Sequence, residues 1–121
     1  MTAARTGDVY WAVLEPIRGS EQGDRRPVVV FQNPALPRFT ATVLSIPITK
    51  NTNRVVEPGT CFLKKGEGGL REDSVALAYQ MRALDAARLR KKIGALSPEG
   101  IQGVAAAILD ALGMELDDGA T

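Results

Sequence analysis

A short polar segment, GSEQGDRRP (19–27), carries the side chains best suited to chemistry in this sequence. Residues 20–26 include a hydroxyl, an amide, two carboxylates and two guanidiniums. A guanidinium is planar, permanently charged and bidentate toward phosphate, whereas a carboxylate can take up a proton. On residue types alone, the alternative is a surface ion pair of Arg26 with Glu21 or Asp24, worth under about 1 kcal/mol. The segment is therefore either a phosphate-handling site or a structural loop.

The absence of histidine narrows the possible chemistry. It excludes a Ser-His-Asp triad, a Cys-His pair, a two-histidine ribonuclease mechanism and the usual Cys/His zinc sites. Cys61 is the only cysteine, so no disulfide can form within the chain, and a reducing cytoplasm is the expected compartment. No carboxylate cluster has the spacing of metal ligands, so we expect no metal and no other cofactor.

The composition is that of one ordinary globular domain. The chain has 121 residues, of which 45% are hydrophobic and 24% charged. No apolar run approaches the ~20 residues that cross a membrane, and the first residues lack the apolar core of a secretory signal. Residues 1–98 hold 15 basic and nine acidic residues, whereas the last 23 hold five acids and no base. This asymmetry is compatible with a polyanionic ligand, and residues 114–121 are expected to form a flexible acidic tail.

The apolar pattern predicts a mainly β chain with a terminal helix. Strands are predicted over 8–14, 27–33, 42–49, 60–65 and 74–85, the last one bending near Gln80. Residues 86–96 are predicted as a short helix and a brief extended segment. Ser97 and Pro98 are typical of a helix start and Gly113 of its end. Segment 8–14 is apolar on both faces, which suggests that one face meets a second copy of the chain.

Several motifs then occur in a specific order: GDVYW, EPIRGSEQGDRRPVVV, PIT and LREDSVALAYQMRALD. Together they resemble the MazF/PemK family of toxin–antitoxin ribonucleases, and the MazF branch in particular, from Gly7 to Leu112. The resemblance implies a small SH3-like antiparallel β-barrel with a C-terminal helix, spanning 1–113 as a single domain and forming a homodimer. It also implies a cytoplasmic, sequence-specific and metal-independent endoribonuclease with no membrane attachment, which inhibits translation and growth.

The reaction implied by the resemblance is cleavage of single-stranded RNA by attack of the ribose 2′-hydroxyl, leaving a 2′,3′-cyclic phosphate and a 5′-hydroxyl. The catalytic arginine of the family precedes the proline of the RP motif, here Arg26, and the catalytic threonine closes the third strand, here Thr49. Glu21 is the most available carboxylate for a general base. Substrate-binding candidates are Ser20, Gln22, Arg25, Arg18, Lys50 and Asn51. A cognate MazE-like antitoxin is the expected partner.

Two alternatives compete with this interpretation. One is a gyrase-poisoning toxin of the CcdB type, and the absence of an aromatic residue from DALGMELDDGAT argues against it. The other is a barrel that binds peptide or RNA without cleaving it. The aromatic residues Tyr10, Trp11 and Phe31 are expected in the core or in a dimer contact, whereas Phe39 and Phe62 are candidates for base stacking. The charge run over 88–92 is expected to be a solvated face.

Overall fold

The computed structural model describes residues 4–14 and 25–115. Over these residues the chain forms seven strands and one α-helix, joined in part by short 3-10 turns. The strands are β1 (Asp8–Val13), β2 (Arg25–Val30), β3 (Thr42–Thr49), β4 (Thr60–Leu63), β5 (Ser74–Leu77), β6 (Arg82–Asp85) and β7 (Leu89–Ala95). The helix is α1 (Pro98–Leu112). None of the helical segments in the described part of the chain is long and apolar enough to cross a membrane.

All strand pairs are antiparallel, in the order β4-β5-β3-β2-β1-β7. One side of β3 pairs with β2, while the other side pairs with β6 near its start and with β5 at its end. Within the described residues no pairing joins β4 to β7, so the sheet is not a closed ladder. The predicted class, mainly β with a C-terminal helix, is confirmed.

Both faces of the β1–β2 pair are covered within one chain. Val9 and Val29 belong to a buried cluster that includes residues of β3 and α1. Ala12 and Val28 lie in a second cluster, together with Leu84 of β6. Because alternate residues of a strand point to opposite faces, this two-sided burial explains why segment 8–14 lacks a polar face. Its apolar character therefore does not by itself require a second copy of the chain.

The terminal helix begins and ends as its sequence predicts. The Ser97 hydroxyl accepts a hydrogen bond from the Gly100 N–H at 3.1 Å, and Glu67 accepts one from the Ser97 N–H at 2.6 Å. These contacts satisfy donors that a helix start leaves unpaired. Gly113 ends the helix in the left-handed conformation at φ 69°. The buried side chains of Val104 and Ala107 fix the helix against the larger core cluster.

Two predictions between residues 74 and 96 need correction. The single bent strand over 74–85 is interrupted by a 3-10 turn at Ala78–Gln80, although both halves still pair with β3. The helix predicted to begin residues 86–96 is only a 3-10 turn at Ala86–Arg88, and the brief extended segment is the seven-residue strand β7. The pairing of β7 with β1 outweighs the helical preference of the alanine, arginine and lysine residues in segment 86–96.

Candidate functional site

A cleft of about 660 Å³ opens where β2 begins and β3 ends. Among the described residues, its lining contains six cationic side chains and one carboxylate, that of Glu72. The cations are Arg25, Arg26, Lys50, Arg71, Lys91 and Lys92. A concave surface of one charge sign focuses the electrostatic potential and concentrates oppositely charged ligands. The cleft is therefore suited to a polyanion.

Arg26 and Thr49 both line this cleft. The register of β2 and β3 pairs Val29 with Ile46 and Val28 with Pro47. Continued by two residues, the same register sets Arg26 opposite Thr49. Arg26 is half-buried and also lines a smaller cavity of about 140 Å³ on the side of β6. Two adjacent strands thus bring a guanidinium and a hydroxyl to one end of the sheet.

The Thr49 hydroxyl is held by the backbone of the following turn. Its oxygen accepts a hydrogen bond from the Asn51 N–H at 3.1 Å, and its own strand position is fixed by pairing with Val75 of β5. A hydroxyl that accepts one hydrogen bond still has its own proton to donate. Thr49 can therefore donate to an anionic oxygen in the cleft.

The other two predicted residues of this turn have different surroundings. Lys50 lines the cleft, and its Nζ lies 3.5 Å from Glu72, with both side chains largely exposed. Such a surface pair contributes little and leaves the ammonium accessible to a ligand. The Asn51 side chain accepts a hydrogen bond from the Asn53 N–H at 3.2 Å and caps the 3-10 turn Thr52–Val56. Asn51 is not among the residues that line the cleft.

Four predicted site residues fall outside the described part of the chain: Arg18, Ser20, Glu21 and Gln22. The described residues on either side of them border the cavities, Leu14 the smaller one and Arg25 the larger one. Two arginines hold the end of β1 at this point. Arg82 donates to the Leu14 carbonyl at 3.3 Å, and Arg88 donates to the Val13 carbonyl at 3.1 Å.

Among the cationic and aromatic residues that line the cleft, the predicted site set omits Trp11, Arg71, Lys91 and Lys92. The lysines belong to a run that was expected to be merely solvated, and β7 carries two irregularities of register against β1. A bulge of this kind redirects side chains, and nothing in the linear pattern marks it. The residues lining the cleft on β7 could be found only from the pairing of the strands.

The positions of the aromatic residues, in the core or at the cleft, differ in part from those expected. Trp11 is 44% exposed in the single chain and lines the cleft, so the core half of its expectation is wrong, whereas the dimer contact stays a prediction. Tyr10 and Phe31 are partly buried against the two core clusters, as expected. Phe39 and Phe62, the candidates for base stacking, are 80% and 47% exposed, but neither lines the cleft or the smaller cavity.

A glycine turn supports the wall of the cleft formed by β7. Gly69 has φ +81°, and a Cβ at this position would lie 2.6 Å from the carbonyl oxygen of Ile93. No side chain fits that separation, and an L-residue is strained at that φ. The turn Glu67–Gly69 can therefore pack directly against the β7 backbone.

A polar network lies away from the cleft, on the turn after β3. Arg54 is hydrogen-bonded to Glu57 and Tyr79, and the Tyr79 hydroxyl donates to Glu57 at 2.6 Å. The hydrogen bond from Arg54, followed by that from Tyr79, lowers the pKa of Glu57 from its ordinary value. The hydrogen bond to Glu57 likewise raises the pKa of Arg54. Arg54 is thus engaged with a neighbouring carboxylate.

The one thiol has no feature of a nucleophile. Burial, with a smaller contribution from Glu67, raises the pKa of Cys61. A raised pKa keeps a thiol protonated, and only the thiolate is reactive. Cys61 also does not line the cleft, so no nucleophilic role is assigned to it.

Comparison with known proteins identifies the family. A family model described as PemK-like, MazF-like toxin of type II toxin–antitoxin system matches residues 5–112. Endoribonuclease MazF of Staphylococcus saprophyticus is 41% identical over 110 residues, which cover 91% of this chain and 92% of that protein.

Solved structures agree with this result. MazF from Deinococcus radiodurans superimposes with a TM-score of 0.73 at 25% identity, covering 94% of this chain and 100% of that one. A mycobacterial endoribonuclease in complex with its cognate antitoxin gives a TM-score of 0.76 at 23% identity, covering 95% and 100%. The second likeness concerns the fold alone. The family model and the 41% identical relative show that the chain belongs to the PemK-like, MazF-like toxin family of type II toxin–antitoxin systems.

Proposed function

We propose that this protein is a sequence-specific, metal-independent endoribonuclease toxin that cleaves single-stranded RNA, mRNA in particular. The observation that carries the proposal is the convergence of Arg26 and Thr49 where β2 begins and β3 ends, in a cleft whose described lining includes six cationic side chains. The 41% identical relative named Endoribonuclease MazF supports the same activity. Cleavage of mRNA would stop translation and growth, and it would take place in the cytoplasm.

The proposed reaction is a transesterification at phosphorus. The ribose 2′-oxygen forms a bond to phosphorus and loses its proton to a base, for which we assign Glu21. The bond from phosphorus to the 5′-oxygen breaks, and that oxygen takes up a proton. The products are a 2′,3′-cyclic phosphate and a 5′-hydroxyl.

Arg26 and Thr49 would act on the phosphoryl group as charge develops there. A guanidinium reaches two phosphoryl oxygens at once, so Arg26 is assigned to transition-state stabilisation and to proton donation toward the leaving oxygen. Thr49 donates its hydroxyl proton to a non-bridging oxygen. Since the Asn51 N–H holds the Thr49 oxygen, this donor needs little reorganisation during the reaction.

Substrate binding would use the remaining cations of the cleft. Arg25 and Lys50 lie in its lining and are placed to contact the RNA backbone. Arg18, Ser20 and Gln22 complete the proposed substrate set on the strength of the sequence motif. Because phosphate contacts of this type release counterions, affinity should fall as salt rises.

A cognate MazE-like antitoxin is the proposed partner. Some of the similar structures are named as complexes, among them a mycobacterial endoribonuclease with its cognate antitoxin and MazE with MazF from Deinococcus radiodurans. An acidic antitoxin segment would complement the cationic cleft, so antitoxin and RNA should compete for it. Simultaneous binding of both without loss of affinity would contradict this part of the proposal.

Domain limits and assembly complete the proposal. Residues 1–113 would form the active domain, so deletion of 114–121 should leave cleavage nearly unchanged. The active form would be a homodimer, and sedimentation equilibrium should give about twice the 12.9 kDa of one chain. A monomer at micromolar concentration would contradict the assembly without touching the chemistry.

The direct test of function is incubation of the purified protein with a long RNA. Wild-type protein should cut at a small set of sites, and R26A should not cut measurably. R38A removes an exposed arginine outside both cavities and should cut like wild type. Equal activity in R26A would make Arg26 a structural residue. Intact RNA together with stalled gyrase would instead favour the CcdB-type alternative.

A further inference from the structure

We infer that Trp11 is a stacking platform for a nucleobase of the RNA held in the cleft; this inference rests on the proposed function. The indole lies on β1, opposite Pro27 of β2 and opposite Lys91 of β7. Arg26, the residue before Pro27, faces the neighbouring position Ala12. Trp11 therefore lies one register position from the proposed catalytic arginine.

The exposure of Trp11 is what requires an explanation. It is 44% exposed, although its strand is otherwise largely buried. Among the exposed large hydrophobic residues of the described chain, Trp11 alone lines the cleft. An aromatic ring beside cations is the combination that binds single-stranded nucleic acid, because cations follow the phosphates and rings stack on the bases.

Two other occupants fit the same surface less well. A two-fold contact of this cleft with the same cleft of a second copy would bring the two sets of cations together, which is repulsive. An acidic antitoxin segment would satisfy the cations, and an apolar anchor could cover the indole. The RNA base is favoured because Arg26 and Thr49, the proposed phosphate contacts, lie in the same cleft.

The chain contains one tryptophan, so its intrinsic fluorescence reports on this position directly. The probe is a single-stranded 2′-deoxy oligonucleotide pool, which lacks the attacking hydroxyl and stays intact. Titration into wild-type protein should quench the emission. An abasic oligonucleotide of equal length should bind through its phosphates with little quenching. Equal quenching by both, or by neither, would overturn the inference.

Variants measure the contribution of the ring to affinity. W11A should weaken binding of the 2′-deoxy pool by about tenfold, as expected for loss of one base–aromatic stack. The dependence of affinity on salt should keep its wild-type slope, because no phosphate contact is lost. W11F keeps an aromatic ring and should bind within about threefold of wild type. F62A removes a similarly exposed ring outside the cleft and should bind like wild type.

Other outcomes have definite meanings. A W11A variant that keeps its circular dichroism spectrum and binds the pool like wild type would overturn the inference. So would quenching by an acidic antitoxin peptide combined with none from any oligonucleotide. Cleavage by wild-type protein without base-dependent quenching leaves the proposed function standing and refutes the role of Trp11. Base-dependent quenching without cleavage supports the stacking role and refutes the enzyme.

Discussion

Arg26 and Thr49 stand opposite one another when the register of β2 and β3 is continued past the pair Val28–Pro47, and both line the same cationic cleft. The two side chains are 23 positions apart in sequence and depend on adjacent strands for their meeting. Sites built on paired strands hold their groups more rigidly than sites built on loops. Since the two side chains line the same cleft, variants of either residue should slow the same step, the proposed transesterification at phosphorus.

Thr49 provides the first prediction. T49V keeps the shape of the side chain but removes the hydroxyl, so cleavage should fall by roughly 100-fold, the usual consequence of losing one preorganised donor. T49S restores the hydroxyl and should stay within about tenfold of wild type. Initial rates on one RNA substrate give the comparison. Wild-type activity in T49V would show that the hydroxyl takes no part.

Metal independence is the second prediction. The cations of the cleft, rather than a bound ion, are assigned to stabilise the phosphoryl charge. Within residues 4–14 and 25–115, no group of three His, Cys, Asp or Glu side chains is placed to hold a metal ion. EDTA should therefore leave the cleavage rate unchanged at constant ionic strength. Inhibition by EDTA that added Mg²⁺ reverses would contradict the prediction.

Gly69 allows a test of the wall of the cleft. G69A would place a Cβ against the Ile93 carbonyl at a left-handed backbone position, so the free energy of unfolding should fall by about 2 kcal/mol or more. G66A is the matched control, since Gly66 is also left-handed but a Cβ there would meet no atom within 4 Å. Urea denaturation should show the smaller loss for G66A. Equal losses of unfolding free energy in G69A and G66A would mean that the close contact of Gly69 with β7 does not contribute to stability.

The network of Arg54, Glu57 and Tyr79 should make stability depend on pH. Its hydrogen bonds lower the pKa of Glu57 below the value of 4.5 taken for an unperturbed carboxyl group. The contribution is therefore fully present above that pH and is lost as the pH falls through the lowered pKa. Thermal denaturation should show E57Q to be less stable than wild type near neutral pH. The difference should shrink in acid.

E115Q, at an exposed acidic residue beyond the helix, should follow the wild-type pH profile. A constant difference between wild type and E57Q from neutral to acidic pH would show that the network does not respond to the charge of Glu57.

Caps and apolar patterns in the sequence predict the secondary structure correctly where the long-range contacts favour the same element. The helix from Pro98 to Leu112 follows its cap and stop residues, and β3 has the predicted bounds Thr42–Thr49. Residues 86–96 were misjudged because Ala, Arg and Lys favour a helix locally, while the free edge of β1 imposes a strand. Strand pairing is a non-local interaction, and a single segment does not display it.

The sequence predicts only part of the site, because strand pairing also decides which residues line the cleft. Arg26 and Thr49 are recognisable because each belongs to a short motif, and both line the cleft. Trp11 is expected in the core or in a dimer contact because an aromatic residue in an apolar run is normally buried. Lys91 lies opposite Trp11 only through the irregular pairing of β1 with β7. Spacing along the chain cannot reveal such a juxtaposition.

The chemical termini left by wild-type cleavage test the central claim most directly. RNA cut by the purified protein should carry 2′,3′-cyclic phosphate and 5′-hydroxyl ends, because the 2′-oxygen attacks and the 5′-oxygen leaves. A single 2′-deoxy substitution on the 5′ side of a mapped site should abolish cleavage there and leave other sites unaffected. Ends with 3′-hydroxyl and 5′-phosphate, or continued cutting at the 2′-deoxy site, would contradict the mechanism built on Arg26 and Thr49.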